Sequence, residues 1–163
     1  MNFRLDILRD KGLKLPDIQE VIGSMDPLPG AVEFIDTVRS EAQVIILSDT
    51  FTQFAQPLMK KLGYPTLFCN TLEVARDGTI TGFKLRQDEG KKMAVRALKG
   101  IHLKVMAAGD SYNDIGMIQE ADTGALFRAP ESIVAQFPET PAFEQYGDLL
   151  AHMRTKLLGQ SGV

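Results

Sequence analysis

Residues 104–114, KVMAAGDSYND, decide the fold class of this chain. Residues 104–108 include a short, unbroken apolar run, which is typical of a parallel strand buried on both faces. The run ends at Gly109-Asp110, and helical spacing of apolar residues begins again at Asn113. A strand followed at once by a helix predicts one unit of an α/β fold with polar side chains at the strand's carboxyl end.

A strand of the same design lies earlier in the chain. Residues 44–47, VIIL, form a β-branched run that ends at Ser48-Asp49-Thr50. We predict a second parallel strand here, also buried on both faces. Because function gathers at the carboxyl ends of parallel strands, these polar residues and those after Gly109 are the candidates for a site.

The other elements follow from hydrophobic periodicity and turn residues. Two short helices are predicted within residues 1–22, interrupted near Gly12. Further helices are predicted at residues 31–39, 51–62 (ending at Gly63), 91–99, 113–121 and 146–158. Strands 66–74 and 79–85 flank Asp77-Gly78, which predicts a β-hairpin, and 124–127 predicts a last strand. Alternating strands and helices indicate a doubly wound, Rossmann-like parallel sheet with a hairpin.

Composition excludes several classes of function. The chain has 163 residues, enough for one domain, with 44% hydrophobic and 24% charged residues. A net charge of -3 and a pI near 5.4 offer no basic surface for nucleic acid or anionic lipid. No apolar run approaches the roughly 20 residues of a membrane span. Cys69 is the only cysteine, so we expect a buried thiol, no intrachain disulfide and a cytoplasmic protein.

Two carboxylates crowd the turn after residues 104–108. Asp110 follows the strand and Asp114 falls in the first turn of the next helix. Carboxylates at such a turn suit Mg²⁺, which binds through one or two of them and keeps waters for phosphate oxygens. Alternatively, Asp110 caps the helix and Asp114 is merely exposed in its first turn, where acids are favoured. The residues alone leave both interpretations open.

Hydroxyl groups and a lysine are compatible with a bound phosphate. Ser48 and Thr50 could donate to a phosphate oxygen beside the N–H groups of the next helix. They could equally cap that helix, with Asp49 assisting. Lys91 lies at a predicted helix start, where a cation opposes the helix dipole. A phosphate or a carboxylate would compensate this placement, and a solvated lysine is the alternative.

In order and spacing, residues 44–48, Lys91 and residues 107–114 resemble the second, third and fourth motifs of haloacid dehalogenase phosphatases. The hairpin resembles that of the phosphoserine phosphatases in this superfamily. Residues 48–51, SDTF, resemble the subgroup described as phosphoserine phosphatase/homoserine phosphotransferase. The resemblance implies a remainder of the helical cap over residues 1–26 and a haloacid dehalogenase-like core, lacking its first strand, over 27–163.

The resemblance also implies roles for single residues. Asp110 would ligate Mg²⁺ directly, and Asp114 would act through metal-bound water. Ser48 would bind the transferred phosphoryl oxygen, Lys91 would neutralise phosphate and nucleophile, and Asn113 would hydrogen-bond near the phosphate.

Substrate recognition would involve further residues. Asp49 and Thr50 would lie in the substrate-binding turn with Ser48. Arg4 would pair with the substrate carboxylate, since a guanidinium suits a carboxylate by bidentate geometry. A solvated arginine on an amphipathic helix is the alternative.

The nucleophile that the resemblance requires is not found in these residues. The family's first strand ends in Asp-x-Asp, whose first carboxylate attacks phosphorus. Asp6 and Asp10 lie in a helical pattern, Asp26 lies in a loop, and Asp49 occupies the second-motif strand. We therefore expect that the chain begins inside the cap, most simply at an internal methionine. Another chain could also supply the strand, or the flanking strands could close up without it.

Three hypotheses follow. The first is a Mg²⁺-dependent phosphomonoesterase acting on phosphoserine, with transfer of phosphate to homoserine as an option and this chain inactive by itself. The second is a non-catalytic remnant that binds phosphate and Mg²⁺. The third is a receiver-like signalling domain, which the residue order disfavours because Ser48 and Lys91 precede Asp110 and Asp114. The oligomeric state does not follow from the sequence.

Overall fold

The computed structural model describes residues 2–157 and 159, with only the backbone of residues 2–4 and 9. Its elements, in chain order, are α1 (Asn2–Asp10), α2 (Leu15–Ser24), α3 (Ala31–Glu41), β1 (Ile45–Phe51), α4 (Thr52–Lys61), β2 (Thr66–Val74), β3 (Ile80–Lys84), α5 (Gly90–Gly100), β4 (Met106–Gly109), α6 (Tyr112–Glu120), β5 (Thr123–Phe127), α7 (Glu131–Gln136), β6 (Ala142–Phe143) and α8 (Tyr146–Lys156). Among the described residues, no helix has both the length and the apolar character to cross a bilayer. The α/β class is confirmed.

The chain divides into two compact units, Met1–Arg86 and Gln87–Val163. This division differs from the predicted boundary between residues 26 and 27. The physical reason is that α1 and α2 contribute to the same apolar cluster as β1, β2 and β3. As a boundary between cap and core, position 26/27 stays a prediction.

The first unit contains a three-stranded sheet in the order β1-β2-β3. β1 and β2 are parallel, and β2 and β3 form the predicted antiparallel hairpin. Gly78 in the hairpin turn has φ +87, which is the left-handed conformation that an Asp-Gly turn requires. Gly63 likewise has φ +69 just after α4, as predicted for the end of that helix.

Two apolar clusters hold the first unit together. Leu5 of α1, Phe51, Leu72 and Ile80 form one of them, and α2 adds half-buried residues to it. The second cluster joins buried residues of α4 to half-buried residues of α3, β1 and β2. Complete burial of one such side chain contributes about 1.5–3 kcal/mol, so the first cluster fixes α1 and α2 to the hairpin.

The second unit contains a three-stranded, parallel sheet in the order β4-β5-β6. β5 lies in the middle, and its Ala125 and Leu126 are fully buried. α6 presses closely on β5, because a Cβ at Gly124 would lie 2.5 Å from the carbonyl oxygen of Ile118. The C-terminal part of α6 therefore packs directly on the middle strand of this sheet.

The predicted burial of two strands was wrong. Ile45–Ser48 of β1 are half-buried, and Ala108 of β4 is exposed. Both strands lie at the edge of their sheet, since β1 pairs with β2 and β4 pairs with β5. The sequence also did not predict α7 or β6, because segments of six and two residues carry too little periodicity to be detected.

Candidate active site

The turn between β4 and α6 presents a carboxylate to solvent. Asp110 follows Gly109 at the end of β4, and its side chain is exposed. In the part of the chain that the structure describes, no side chain bonds to the Asp110 carboxylate. Its backbone N–H, in contrast, donates to Asp114 Oδ2 over 3.1 Å. The backbone of Asp110 is held while its carboxylate remains available.

Asp114 holds this turn together from inside. It is 5% exposed, and its Oδ2 accepts the Ser111 N–H at 3.1 Å and the Ser111 hydroxyl at 2.8 Å in addition to the Asp110 N–H. A carboxylate that reaches back to the residue before its helix is half of a capping box. The alternative in which Asp110 caps the helix and Asp114 is merely exposed is therefore wrong in both parts, because Asp114 forms the capping box and is buried, and the Asp110 side chain is exposed.

The remaining oxygen of Asp114 binds Lys91. Lys91 Nζ lies 2.7 Å from Asp114 Oδ1, and the two side chains are 15% and 7% exposed. This carboxylate compensates the cation at the start of α5, where the helix dipole is unfavourable. Breaking a buried pair by removing one partner costs about 3–5 kcal/mol, so the pair strongly fixes the position of the ammonium.

The protonation state of Asp114 follows from opposing effects. Burial raises the pKa of Asp114, but hydrogen bonds from Lys91 and Ser111 outweigh burial and hold this pKa below its ordinary value. Asp114 is therefore ionised at neutral pH, and Lys91 stays paired with a negative charge.

The Gly90–Lys91 start of α5 follows Glu89, whose φ of 47 is uncommon for a residue other than glycine.

The second strand end forms an irregular turn. β1 pairs with β2 through Leu47 and again at Phe51, and the register shifts between these residues. The sequence predicted that Ser48, Asp49 and Thr50 follow the strand. They lie instead in a bulge within β1. The Thr50 N–H donates to Ser48 Oγ over 3.2 Å. Bulges redirect side chains, and this one carries the hydroxyl that the sequence singled out.

Side chains that the sequence analysis missed hold this bulge and fix the start of α4 to β2. Asn70 Nδ2 donates to the Asp49 carbonyl over 3.1 Å, and the Thr52 hydroxyl donates to the Asn70 carbonyl over 3.2 Å. Gln53 forms a fork on Leu72, donating to its carbonyl and accepting its N–H. Nothing in the sequence flags Asn70 or Gln53, because their partners are backbone groups 16 or more residues away.

Ser111, in contrast, had a sequence signal. The pattern Ser-x-x-Asp before a run of apolar residues is typical of a capping box, and it occurs at Ser111–Asp114. This pattern pairs a hydroxyl residue with an acidic residue three positions further along the chain.

The predicted site residues fall into two groups. Lys91, Asp110 and Asp114 share the turn of the second unit, and Asn113 is exposed in the first turn of α6. Ser48, Asp49 and Thr50 share the bulge of the first unit. The side chain of Arg4, on α1, lies outside the described residues.

A divalent cation of small size fits the donors of the second unit. Mg²⁺ needs only one or two carboxylates, and Asp110 offers an exposed one. The described residues contain no group of three histidine, cysteine or acidic side chains that could hold a metal by themselves. This donor set suits a cation that takes its other ligands from water and a phosphate, and it does not suit a closed protein cage.

Comparison with known families decides the family. Residues 5–122 match the haloacid dehalogenase-like hydrolases. The chain belongs to this family. The predicted resemblance is therefore confirmed, and the Lys91 and Asp110–Asp114 geometry belongs to a haloacid dehalogenase-like hydrolase.

Two relatives of this hydrolase carry a more specific name. A protein of Pseudomonas aeruginosa called phosphoserine phosphatase ThrH is 52% identical over 149 residues, which cover 91% of this chain and 73% of the relative. A phosphoserine phosphatase of Pseudomonas syringae pv. tomato is 48% identical over 149 residues, covering 91% of this chain and 63% of the relative. The chain thus spans less than two thirds of the second relative.

A solved structure supports the fold of this haloacid dehalogenase-like hydrolase. A phosphoserine phosphatase in its apo form superposes with a TM-score of 0.70 at 22% identity, covering 89% of this chain and 74% of the other. At this identity the likeness concerns the fold alone.

Proposed function

We propose that this chain is part of a Mg²⁺-dependent phosphomonoesterase that hydrolyses phosphoserine through an aspartyl-phosphate. The observation that carries the proposal is the buried Lys91–Asp114 pair beside the exposed Asp110 carboxylate. A fixed ammonium and an available carboxylate at one strand end suit a phosphate and the cation that accompanies it. The substrate class comes from the names of the two Pseudomonas relatives.

Asp110 would hold the metal. Mg²⁺, when bound, would neutralise charge on the phosphate oxygens. Asp114 would contribute through a metal-bound water, although in this structure its oxygens accept bonds from Lys91, Ser111 and the Asp110 N–H. Its clearest contribution is to fix the backbone of Asp110 and the ammonium of Lys91.

Different polar residues would contact the phosphate and the carboxylate of the substrate. Ser48 would donate its hydroxyl proton to an oxygen of the transferred phosphoryl group, with Asp49 and Thr50 forming the rest of that turn. Lys91 would neutralise the phosphate, and Asn113 would hydrogen-bond near it. The guanidinium of Arg4 would pair with the carboxylate of phosphoserine.

The attacking carboxylate is not assigned to any of these residues. Asp49 is in the bulge beside Ser48, and Asp110 and Asp114 serve the metal and Lys91. We propose that an aspartate outside residues 1–163 attacks phosphorus and that this chain is inactive without it. Transfer of the phosphoryl group to homoserine, and a cytoplasmic location, belong to the same proposal. A non-catalytic protein that binds phosphate and Mg²⁺ is the alternative.

Phosphate release from phosphoserine tests the proposal. We expect no Mg²⁺-dependent release by residues 1–163 and clear release by a form extended at the N-terminus in the same reading frame. In the extended form, Asp110→Asn should lower kcat at least 100-fold, because it removes the exposed carboxylate.

Asp148→Asn is the matched control, since this exposed aspartate in the first turn of α8 lies in no predicted site. It should leave release unchanged. If the extended form releases no phosphate, the alternative of a non-catalytic protein that binds phosphate and Mg²⁺ is the better description. Release by residues 1–163 would show that a nucleophile is present, and Asp49→Asn would be measured next.

A further inference from the structure

Asn70 is a buried polar residue beside the bulge of β1. Among the described residues, only Asn70 and Asp114 are polar or charged and also buried, at 7% and 5% exposure. Asp114 fixes the turn at the end of β4. Asn70 lies opposite Phe51 in the β1–β2 pairing, beside the bulge of Ser48–Thr50. A buried amide is costly unless its groups are bonded, so its bonds indicate what it holds.

Both ends of the Asn70 side chain meet backbone groups. Nδ2 donates to the Asp49 carbonyl over 3.1 Å, and Oδ1 accepts the Arg86 N–H over 3.0 Å. A carbonyl can only accept and a backbone N–H can only donate, so this orientation of the amide is the one that satisfies both. Asn70 is thereby fixed to the chain that follows β3 and directs its N–H toward the bulge.

The bond from Asn70 determines a peptide plane. The Asp49 carbonyl and the Thr50 N–H belong to one planar trans peptide and point in opposite directions. Holding the carbonyl toward Asn70 therefore turns the Thr50 N–H the other way. That N–H lies 3.2 Å from Ser48 Oγ and donates to it.

The last step concerns the Ser48 hydroxyl. Its oxygen already accepts the Thr50 N–H, which leaves its proton for an acceptor. Among the described residues of the first unit, no acceptor takes this proton. Hydrogen bonds in such a chain polarise one another, so the Asn70 bond strengthens the donor character of Ser48.

We infer that Asn70 is a positioning residue that orients the Ser48 hydroxyl toward a phosphate through the Asp49–Thr50 peptide. The inference rests on the proposed function, in which Ser48 donates to phosphate. The chain of contacts runs from Asn70 Nδ2 to the Asp49 carbonyl, and from the Thr50 N–H to Ser48 Oγ.

Asn70→Asp removes the donor and keeps the acceptor for the Arg86 N–H. We expect the Thr50 amide proton of the ligand-free chain to move upfield in a ¹⁵N–¹H spectrum, since its bond to Ser48 weakens. Affinity for inorganic phosphate, titrated with Mg²⁺ into the same chain, should fall about tenfold, as for loss of one hydrogen bond.

Gln53→Glu is the matched control. It makes the same amide-to-acid change and removes a donor to a backbone carbonyl, that of Leu72, over a similar 2.9 Å. The Gln53 side chain does not bond to Ser48, Asp49 or Thr50. Gln53→Glu should therefore destabilise the first unit about as much as Asn70→Asp does, and it should change neither the Thr50 resonance nor the phosphate affinity.

A double-mutant cycle completes the test. In a Ser48→Ala background, Asn70→Asp should change the phosphate affinity less than about twofold, because both substitutions act on one interaction. Additive effects, or an unchanged Thr50 resonance, would overturn the role of Asn70. If the unsubstituted chain binds no phosphate, the affinities are measured in the N-terminally extended form, and absence of binding there overturns the role of Ser48 toward phosphate. The Thr50 resonance decides separately whether Asn70 orients the Asp49–Thr50 peptide.

Discussion

Gly109 shows how closely the turn between β4 and α6 is packed. A Cβ at this position would lie 2.4 Å from Asp114 Cβ and 2.7 Å from Asp114 Oδ2, distances that real side chains do not tolerate. The space above Gly109 is thus occupied by the carboxylate that bonds to Lys91, Ser111 and Asp110. Glycine is needed here for close approach, and no positive φ is involved.

Gly109→Ala should displace the Asp114 side chain and break its bond to Lys91. We expect the free energy of unfolding to fall by about 1–3 kcal/mol, which urea denaturation would measure. Phosphate affinity should fall with it, since Lys91 loses its fixed position.

Gly147→Ala in α8 is the control for that substitution. Its added methyl group meets nothing within 4 Å, so stability should stay the same or rise by about 0.5 kcal/mol. Equal stability of the two variants would contradict the packing explanation.

At the scale of elements, the hairpin tip is docked on the start of α2. The Leu15 N–H donates to the Gly78 carbonyl over 2.9 Å, and Lys14 Nζ lies 3.0 Å from Asp77 Oδ2. A Cβ at Gly78 would lie 3.1 Å from Pro16 Cδ. These contacts join the predicted cap residues to the β2–β3 hairpin, so the two should open together.

Gly78→Ala should loosen this contact. The substitution places alanine at φ +87 and presses its methyl group on Pro16, so we expect a loss of about 2–3 kcal/mol and faster amide exchange at Leu15. Gly12→Ala provides the comparison, because Gly12 has φ +67 with nothing within 4 Å and should lose only about 1–2 kcal/mol. A loss at Gly78 no larger than that at Gly12 would rule out the docking contribution.

At the scale of the whole molecule, pH links stability to one histidine. His152 Nε2 is buried and has no hydrogen-bond partner among the described residues, and its ring packs 5.1 Å from that of Phe143. Burial, with a smaller contribution from Lys156, lowers the pKa of His152 below its ordinary value of 6.5. Between the lowered pKa and 6.5 the unfolded chain binds more protons, so stability falls as pH falls.

His152→Phe should remove that dependence. We expect thermal unfolding of the unsubstituted chain to move to lower temperature as pH falls below 6.5, and the variant to show a flatter profile. Asp114, Glu120 and Asp122 have lowered pKa values too, but their effect begins only below about 4.5. His102→Asn is the control, and the hypothesis fails if it flattens the profile as much.

Much of the fold followed from the sequence alone. Hydrophobic periodicity predicted the helices that became α1 to α6 and α8, and Asp77-Gly78 predicted the hairpin, because these signals are local. The order of Ser48, Lys91 and Asp110–Asp114 predicted the family, which is now confirmed. Short elements such as α7 and β6 gave no local signal.

What the tertiary structure decided was the partner of each polar group. The sequence named Lys91 and Asp114 separately, and only folding brought them to 2.7 Å, because 23 residues separate them in the chain. The tertiary structure also placed β1 and β4 at sheet edges, and a run of apolar residues does not reveal that position. Asn70 received its role in the same way, since burial and backbone partners 16 and 21 residues away are properties of the folded chain. Periodicity and turn chemistry act between neighbours, whereas pairing and burial depend on contacts that exist only after folding.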